Sequence, residues 1–201
     1  KAHQGAAEML RPISRKYDLR EHDYPVELET LAILFEGISE ANAFAFAGAE
    51  AFRDAEEAKE ANHNGGNMSA VLNVMEISWG DVALMLSVPR QGLGNAAISG
   101  VATDEQLARL GKDVWAAMAI TEPGFGSDSA AVSTTAKLDG DEYVINGEKI
   151  FVTAGSRATH IVVWATLDKS KGRAAIKSFI VPREHPGVTV ERLEHKLGIK
   201  A

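Results

Sequence analysis

The hydrophobic period of this 201-residue chain changes near residue 114, and that change constrains its fold more than any other feature. Before it, Val26 to Asn62 is rich in Ala, Leu and Glu, with apolar residues three and four positions apart, which predicts an amphipathic helix. A second helix is predicted from Ser69 to about Leu86, and Thr103 with Gln106 forms a capping-box pattern that opens a third. We therefore expect an all-helical domain over residues 1–113.

From residue 114 onward, apolar residues alternate or form short buried runs, as in β-strands. Asp139-Gly140-Asp141 and Asn146-Gly147 predict two hairpin turns. The strands are predicted over residues 114–121, 132–138, 143–145, 149–153, 161–167, 178–181 and 188–192. Closely spaced strands joined by tight turns favour an antiparallel sheet, so we expect an antiparallel β-barrel-like domain over 114–201. The predicted fold class is α+β, with the helical domain first.

Composition and charge exclude several kinds of protein. The chain has no Cys, which excludes disulfides, thiolate metal sites and cysteine nucleophiles, and its net charge of −7 argues against nucleic acid as the main partner. The longest charge-free run, residues 61–75, is too short and too polar for a membrane span. The six His show no metal-ligand spacing, so no metal site is predicted. Because the chain opens with Lys1 and has no leader pattern, we expect a trimmed N-terminus and a cytoplasmic protein.

The segment from Ala119 to Asp128 contains the pattern most indicative of a ligand-binding site. A buried strand runs into a Pro-Gly-Phe-Gly turn followed by Ser127. Glycines permit left-handed backbone angles, so successive N–H groups can point into one concavity that binds phosphate, with hydroxyl groups of Thr121 and Ser127 beside it. The alternative is an ordinary tight turn in which Asp128 caps its own backbone.

Two motifs in this part of the chain resemble the acyl-CoA dehydrogenase family. The first is Thr-Glu-Pro-Gly-Phe-Gly-Ser-Asp at 121–128, and the second is Ile-Asn-Gly-Glu-Lys-Ile-Phe-Val-Thr at 145–153. Weaker similarity lies at 17–28, 100–110, 179–188 and 196–201. The resemblance implies FAD, bound between the β domain and a C-terminal helical domain that we expect this chain to lack.

The resemblance also implies which residues meet the cofactor. They lie on the first strand, the glycine turn and the following strand pair: Met118, Ile120, Thr121, Gly126, Ser127, Phe151 and Thr153. Ser127 is also expected to contact the CoA arm of the substrate. Phe125 departs from the small residue usual in the family, and Phe151 from its frequent Trp. The family's catalytic Glu lies in the C-terminal domain, so no catalytic residue is assigned here, and Glu122 is expected to be a structural ion-pair partner.

The function implied is FAD-dependent α,β-desaturation of an acyl-CoA thioester, with hydride transfer to flavin. Electrons are expected to pass to an electron-transfer flavoprotein, and the family resemblance implies a homotetramer. Two alternatives remain open: an oxygen-reactive flavoprotein of the same fold, such as an acyl-CoA oxidase or a flavin monooxygenase, and a non-catalytic acyl-CoA-binding subunit.

Overall fold

The computed structural model describes residues 2–30, 32, 66–89, 93–111 and 114–200. These residues fall into two compact units, the first comprising the described residues up to 89 together with 191–200 and the second the described residues between 93 and 190. Most of the helix predicted over 26–62 lies outside the described residues, although 27–30 are helical. Within the described residues, no helix combines the length and the apolar character needed to cross a membrane.

The first unit is helical. Helix α1 (Ala2–Gly5), a π-helical stretch (Ala6–Leu10) and helix α2 (Arg11–Leu19) follow one another, and helix α3 (Gly66–Ser87) packs against them. Their buried side chains form one apolar core: Leu10, Tyr17, Leu28, Ile77, Leu84 and Met85. Helix α3 begins at Gly66 and not at Ser69 as predicted, and it is interrupted at Asp81, whose backbone is extended. The Asp81 carboxylate accepts a bond from the Leu84 N–H at 2.9 Å and so caps the second half of the helix.

The second unit opens with helices α4 (Leu93–Val101) and α5 (Asp104–Leu110). Helix α5 confirms the predicted capping box, because the Thr103 hydroxyl accepts from the Gln106 N–H while the Gln106 side chain accepts from the Thr103 N–H. Both helices group with the strands, so the division falls at 92/93 instead of the expected 113/114. Two kinds of contact attach helix α4 to the strands: Ile98 packs on Ala116 and Val162, and Asn95 donates to the Val114 carbonyl at 2.6 Å and accepts from the Ala116 N–H at 2.8 Å.

The sheet of the second unit has five strands, β1 (Ala116–Ala119), β2 (Thr135–Asp139), β3 (Glu142–Asn146), β4 (His160–Thr166) and β5 (Ile176–Pro182). Strand β4 lies centrally, since β1, β2 and β5 all pair with it. Strands β2 and β3 form the predicted hairpin through Gly140, which has a left-handed φ of 61°. The buried face packs Ile98, Ala116 and Val162 together.

The expectation of an antiparallel barrel is corrected by this topology. The sheet is open, and β1 and β2 pair with β4 in parallel, because the chain leaves the sheet between these strands instead of turning back at once. Two predicted strands, 149–153 and 188–192, are also wrong, since neither segment is a strand. Gly147 serves close packing and not a hairpin: a Cβ there would lie 2.3 Å from the Thr134 hydroxyl oxygen.

Candidate functional site

The turn that follows β1 is closed by its own backbone. The Glu122 N–H donates to the Phe125 carbonyl at 3.0 Å, and the Phe125 N–H donates back to the Glu122 carbonyl at 3.1 Å. Gly124 and Gly126 do not take left-handed angles, and a Cβ at either would meet nothing within 4 Å. The idea that left-handed glycines shape a phosphate nest is therefore wrong, because an ordinary turn already satisfies the local geometry.

Hydrogen-bond donors nevertheless remain free around this turn. Within the described part of the chain, no backbone partner meets the N–H groups of Thr121, Gly124, Gly126 or Ser127. The turn and the residues after it are solvent-exposed from Pro123 to Ser129. A ligand can therefore reach this set of donors without displacing any protein hydrogen bond.

The segment after β3 closes over the end of β1. The Ile150 N–H donates to the Thr121 carbonyl at 2.9 Å, and the Lys149 ammonium donates to the Ile120 carbonyl at 3.0 Å. Phe151 follows directly and is held at a left-handed φ of 56° with 59% of its surface exposed. Strained non-glycine residues of this kind concentrate at functional sites. Phe151 thus follows the residue that hydrogen-bonds to the Thr121 carbonyl, and its place in a cofactor site remains a prediction.

The structure gives fewer contacts for the other residues that the resemblance assigns to the cofactor. Met118 and Ile120 are half-buried on either side of the buried Ala119. Thr153 is half-buried in a turn over 151–157, and no hydrogen bond among the described residues joins it to the loop after β1. Gly126 and Ser127 lie on the exposed side of the turn.

Glu122 lies at the centre of a buried polar cluster. Its carboxylate accepts from the N–H and hydroxyl of Ser133 at 2.7 and 2.5 Å, and from those of Thr134 at 2.9 and 2.5 Å. The Lys149 ammonium completes the shell at 2.8 Å, with side-chain exposures of 10% for Lys149 and 2% for Glu122. These contacts confirm the predicted role of Glu122 as an ion-pair partner. They join the end of β1, the approach to β2 and the segment before Phe151.

The charge state of this cluster follows from its contacts. Burial by itself raises the pKa of Glu122, but the hydrogen bonds from Lys149, Ser133 and Thr134 outweigh it and hold that pKa far below the ordinary 4.5. Burial lowers the pKa of Lys149, and its contact with Glu122 opposes that shift. Glu122 is thus a fixed carboxylate that no acid-base step at neutral pH can use.

An open groove of about 260 Å³ lies on the other side of Phe125. Its walls come from three segments: Phe125, residues 130–133, and the group Thr166, Lys169 and Gly172. The Lys169 side chain brings an exposed positive charge to this groove. Neither the groove nor the partners of Glu122 were predicted from the sequence. The Ser-Thr pair at 133–134 and the Lys in the second motif were visible signals, but their distance from Glu122 in sequence hid the pairing.

Comparison with known proteins gives a consistent result. The family model described as acyl-CoA dehydrogenase, middle domain, matches residues 117–201. A short-chain-specific acyl-CoA dehydrogenase of Clostridium acetobutylicum is 38% identical over 151 residues, covering 71% of this chain and 40% of the relative. CarC, a subunit of the caffeyl-CoA reductase-Etf complex of Acetobacterium woodii, is 37% identical over 143 residues, covering 67% of this chain and 37% of the relative.

Solved structures extend the similarity to nearly the whole chain. The butyryl-CoA dehydrogenase of Megasphaera elsdenii aligns with a TM-score of 0.74 and 27% identity, covering 99% of this chain and 51% of that one. The chain therefore spans about two fifths of the length of the curated relatives and about half of the solved one.

Proposed function

Because the chain belongs to the acyl-CoA dehydrogenase family, we propose that it supplies the flavin-facing strand and loop of an FAD-dependent enzyme that desaturates an acyl-CoA thioester. The observation that carries this proposal is the position of Phe151. An exposed aromatic ring, held at a strained backbone angle, follows the residue that hydrogen-bonds to Thr121 at the end of β1. Beside it lie the free N–H donors of the turn.

These residues fit the two parts of the cofactor. A flat ring system needs an apolar surface and a few donors at its edge, which Phe151 and the N–H of Thr121 offer. A pyrophosphate needs several donors reachable from solvent, which the N–H groups of Gly126 and Ser127 offer. When bound, FAD supplies the hydride acceptor for the reaction.

Desaturation also needs a base that removes a proton from the substrate, and Glu122 does not serve as one. Its side chain is 2% exposed, Ser133, Thr134 and Lys149 all donate to it, and its low pKa leaves it no tendency to take a proton. We assign Glu122 a positioning role: it fixes the spacing between the end of β1 and the segment that carries Phe151. The base is a residue other than Glu122.

The groove beside Phe125 is proposed to receive the CoA arm. It opens next to the turn that carries Ser127, so that the Ser127 hydroxyl and the Lys169 ammonium can both meet one polar, phosphate-bearing arm. Phe125 forms one wall of this groove. The large side chain at position 125 then shapes the groove instead of blocking the phosphate contacts.

The electron partner is proposed from the relatives. CarC is named as part of a complex with an Etf, and the similarity covers 67% of this chain. We propose that an electron-transfer flavoprotein exchanges electrons with the flavin held by this chain. That relative is named for a reductase and the Clostridium relative for a dehydrogenase, so reduction of an acyl-CoA is the alternative direction that the flavin test should examine.

The test of the cofactor site is a flavin titration. A Gly126→Leu variant adds a side chain where the folded chain has open space, so it disturbs the ligand and not the fold. We expect it to weaken FAD binding at least tenfold, as followed by quenching of flavin fluorescence. Gly100→Leu is the matched control, since a Cβ at Gly100 also meets nothing within 4 Å, and it should leave FAD binding unchanged.

The reaction is tested on protein that retains its flavin. Addition of butyryl-CoA under nitrogen should bleach the visible flavin absorbance, and an electron-transfer flavoprotein should then restore it. Equal FAD affinity of wild type and Gly126→Leu contradicts the cofactor site. Tight FAD binding without bleaching by any of a series of acyl-CoA thioesters contradicts the dehydrogenase reaction instead.

A further inference from the structure

We propose that Glu21, His22 and His195 form a binding site for a divalent transition-metal ion, with Zn²⁺ as the best fit. All three residues belong to the first unit, although His195 comes from its C-terminal segment. One ligand atom of each lies within 4.8 Å of the others. Two imidazoles and one carboxylate are a donor set that zinc takes with water in the fourth position.

The distances are close to those of a coordination shell. The Glu21 Oε2 lies 3.2 Å from Nδ1 of His195, and the Glu21 Oε1 lies 3.8 Å from Nε2 of His22. In a tetrahedral zinc site with bonds of about 2.0–2.1 Å, neighbouring ligand atoms are about 3.3 Å apart. Small side-chain rotations would therefore bring these atoms to bonding distance, and the His195 side chain, 82% exposed, has room to make them.

The backbone around Glu21, His22 and His195 holds these side chains close together without an ion. His22 has a left-handed φ of 75°, an angle that costs a non-glycine residue free energy, and its ring lies 4.8 Å from the His195 ring. Glu21 also accepts from the Lys196 N–H at 3.2 Å, and without an ion the His22 Nε2–H donates to the Glu194 carbonyl at 3.2 Å, a bond that zinc would replace at that nitrogen. These contacts hold the 194–196 segment against the loop at 20–23, so the three side chains converge before any ion binds.

The charge of the site suits a cation. Glu21 contributes a carboxylate, an anionic oxygen donor that lies 3.2 Å from the His195 Nδ1. Nitrogen ligands select zinc-like ions over magnesium and calcium, which prefer oxygen. A bound ion would tie the segment after residue 190 to the helical unit, which is a structural role separate from flavin chemistry.

The test uses Zn²⁺ alone, titrated by calorimetry into the full chain after removal of any affinity tag and treatment with a chelator. We expect one ion per chain and a rise in the midpoint of thermal unfolding, while Mg²⁺ produces neither. Replacement of zinc by Co²⁺ should give the visible absorption of a four-coordinate site with nitrogen ligands.

Three variants identify the ligands. His195→Gln, Glu21→Gln and His22→Asn should each weaken zinc binding at least tenfold, and Asn is chosen at 22 because it tolerates the left-handed angle. His185→Gln, an exposed histidine of the other unit, should bind as wild type does. Absence of zinc binding by the folded wild-type chain overturns the proposal, as does unchanged zinc affinity in the His195→Gln and Glu21→Gln variants.

Discussion

At the scale of single residues, Glu122 and Lys149 decide whether the loop after β1 keeps its shape. Glu122→Gln preserves the size of the side chain but leaves the Lys149 ammonium, 10% exposed, without a counter-charge. Breaking a buried ion pair in this way costs about 3–5 kcal/mol, and we expect a loss of stability at neutral pH near the lower end of that range. Urea unfolding measures it, and Glu148→Gln, an exposed neighbour, is the control that should change little.

The same carboxylate predicts how stability depends on pH. Because the folded chain lowers the pKa of Glu122 below its ordinary 4.5, the unfolded state binds a proton more readily than the folded one. The stabilisation is therefore complete above about pH 4.5 and is lost progressively as the pH falls below it. Wild type should lose unfolding free energy over this acidic range more steeply than Glu122→Gln does. Parallel curves for the two proteins would contradict the assignment.

Residue patterns in the sequence predicted local contacts well and distant ones poorly. The role of Glu122 follows from the alternation of a strand, since the residue after Thr121 must turn away from it. Its partners do not follow, because Lys149 is 27 positions away and Thr134 is 12. Gly147 shows the same limit: Asn-Gly is a typical hairpin signal, but here the glycine permits contact with Thr134.

At the scale of secondary-structure elements, Asn95 adds two hydrogen bonds to the apolar packing of helix α4 on the sheet. Asn95→Ala removes both the donor to the Val114 carbonyl and the acceptor for the Ala116 N–H, at the entrance to a buried strand. Leaving these backbone groups without partners should cost about 2–3 kcal/mol, measured by denaturant unfolding. Ser99→Ala is the control on the same helix, because its hydroxyl bonds only to carbonyls of that helix. A loss below 1 kcal/mol for Asn95→Ala would show that apolar packing alone holds α4 in place.

Element positions were predictable where one local rule dominates. The capping box of α5 and the β2–β3 hairpin are set by residues within a few positions of each other, and both were found. The parallel pairing of β1 with β4 depends on residues 44 positions apart, such as Ala116 and His160, and no turn signal encodes it. Strand direction in this sheet is a tertiary property, which is why an antiparallel barrel was the wrong inference.

At the scale of the whole molecule, the two units have separate apolar cores that share no residue. Leu84, fully buried, lies in the core of the helical unit, and Val162, 1% exposed, lies in that of the β unit. Leu84→Ala should cost about 2–5 kcal/mol and Val162→Ala about half as much, because fewer methyl groups are removed. Each loss should fall mainly in its own unit, since each substituted residue belongs to a core made of described residues of that unit.

Amide hydrogen exchange resolved by segment separates these losses. In Leu84→Ala, protection should fall in 10–28 and 77–85 and remain in β4 and β5, with the reverse pattern in Val162→Ala. The two variants act as controls for each other, because each leaves the other core chemically unchanged. If either substitution lowers protection equally in both units, the chain unfolds as one cooperative body. The stability of the loop after β1 would then depend on the helical core as much as on the sheet that carries it.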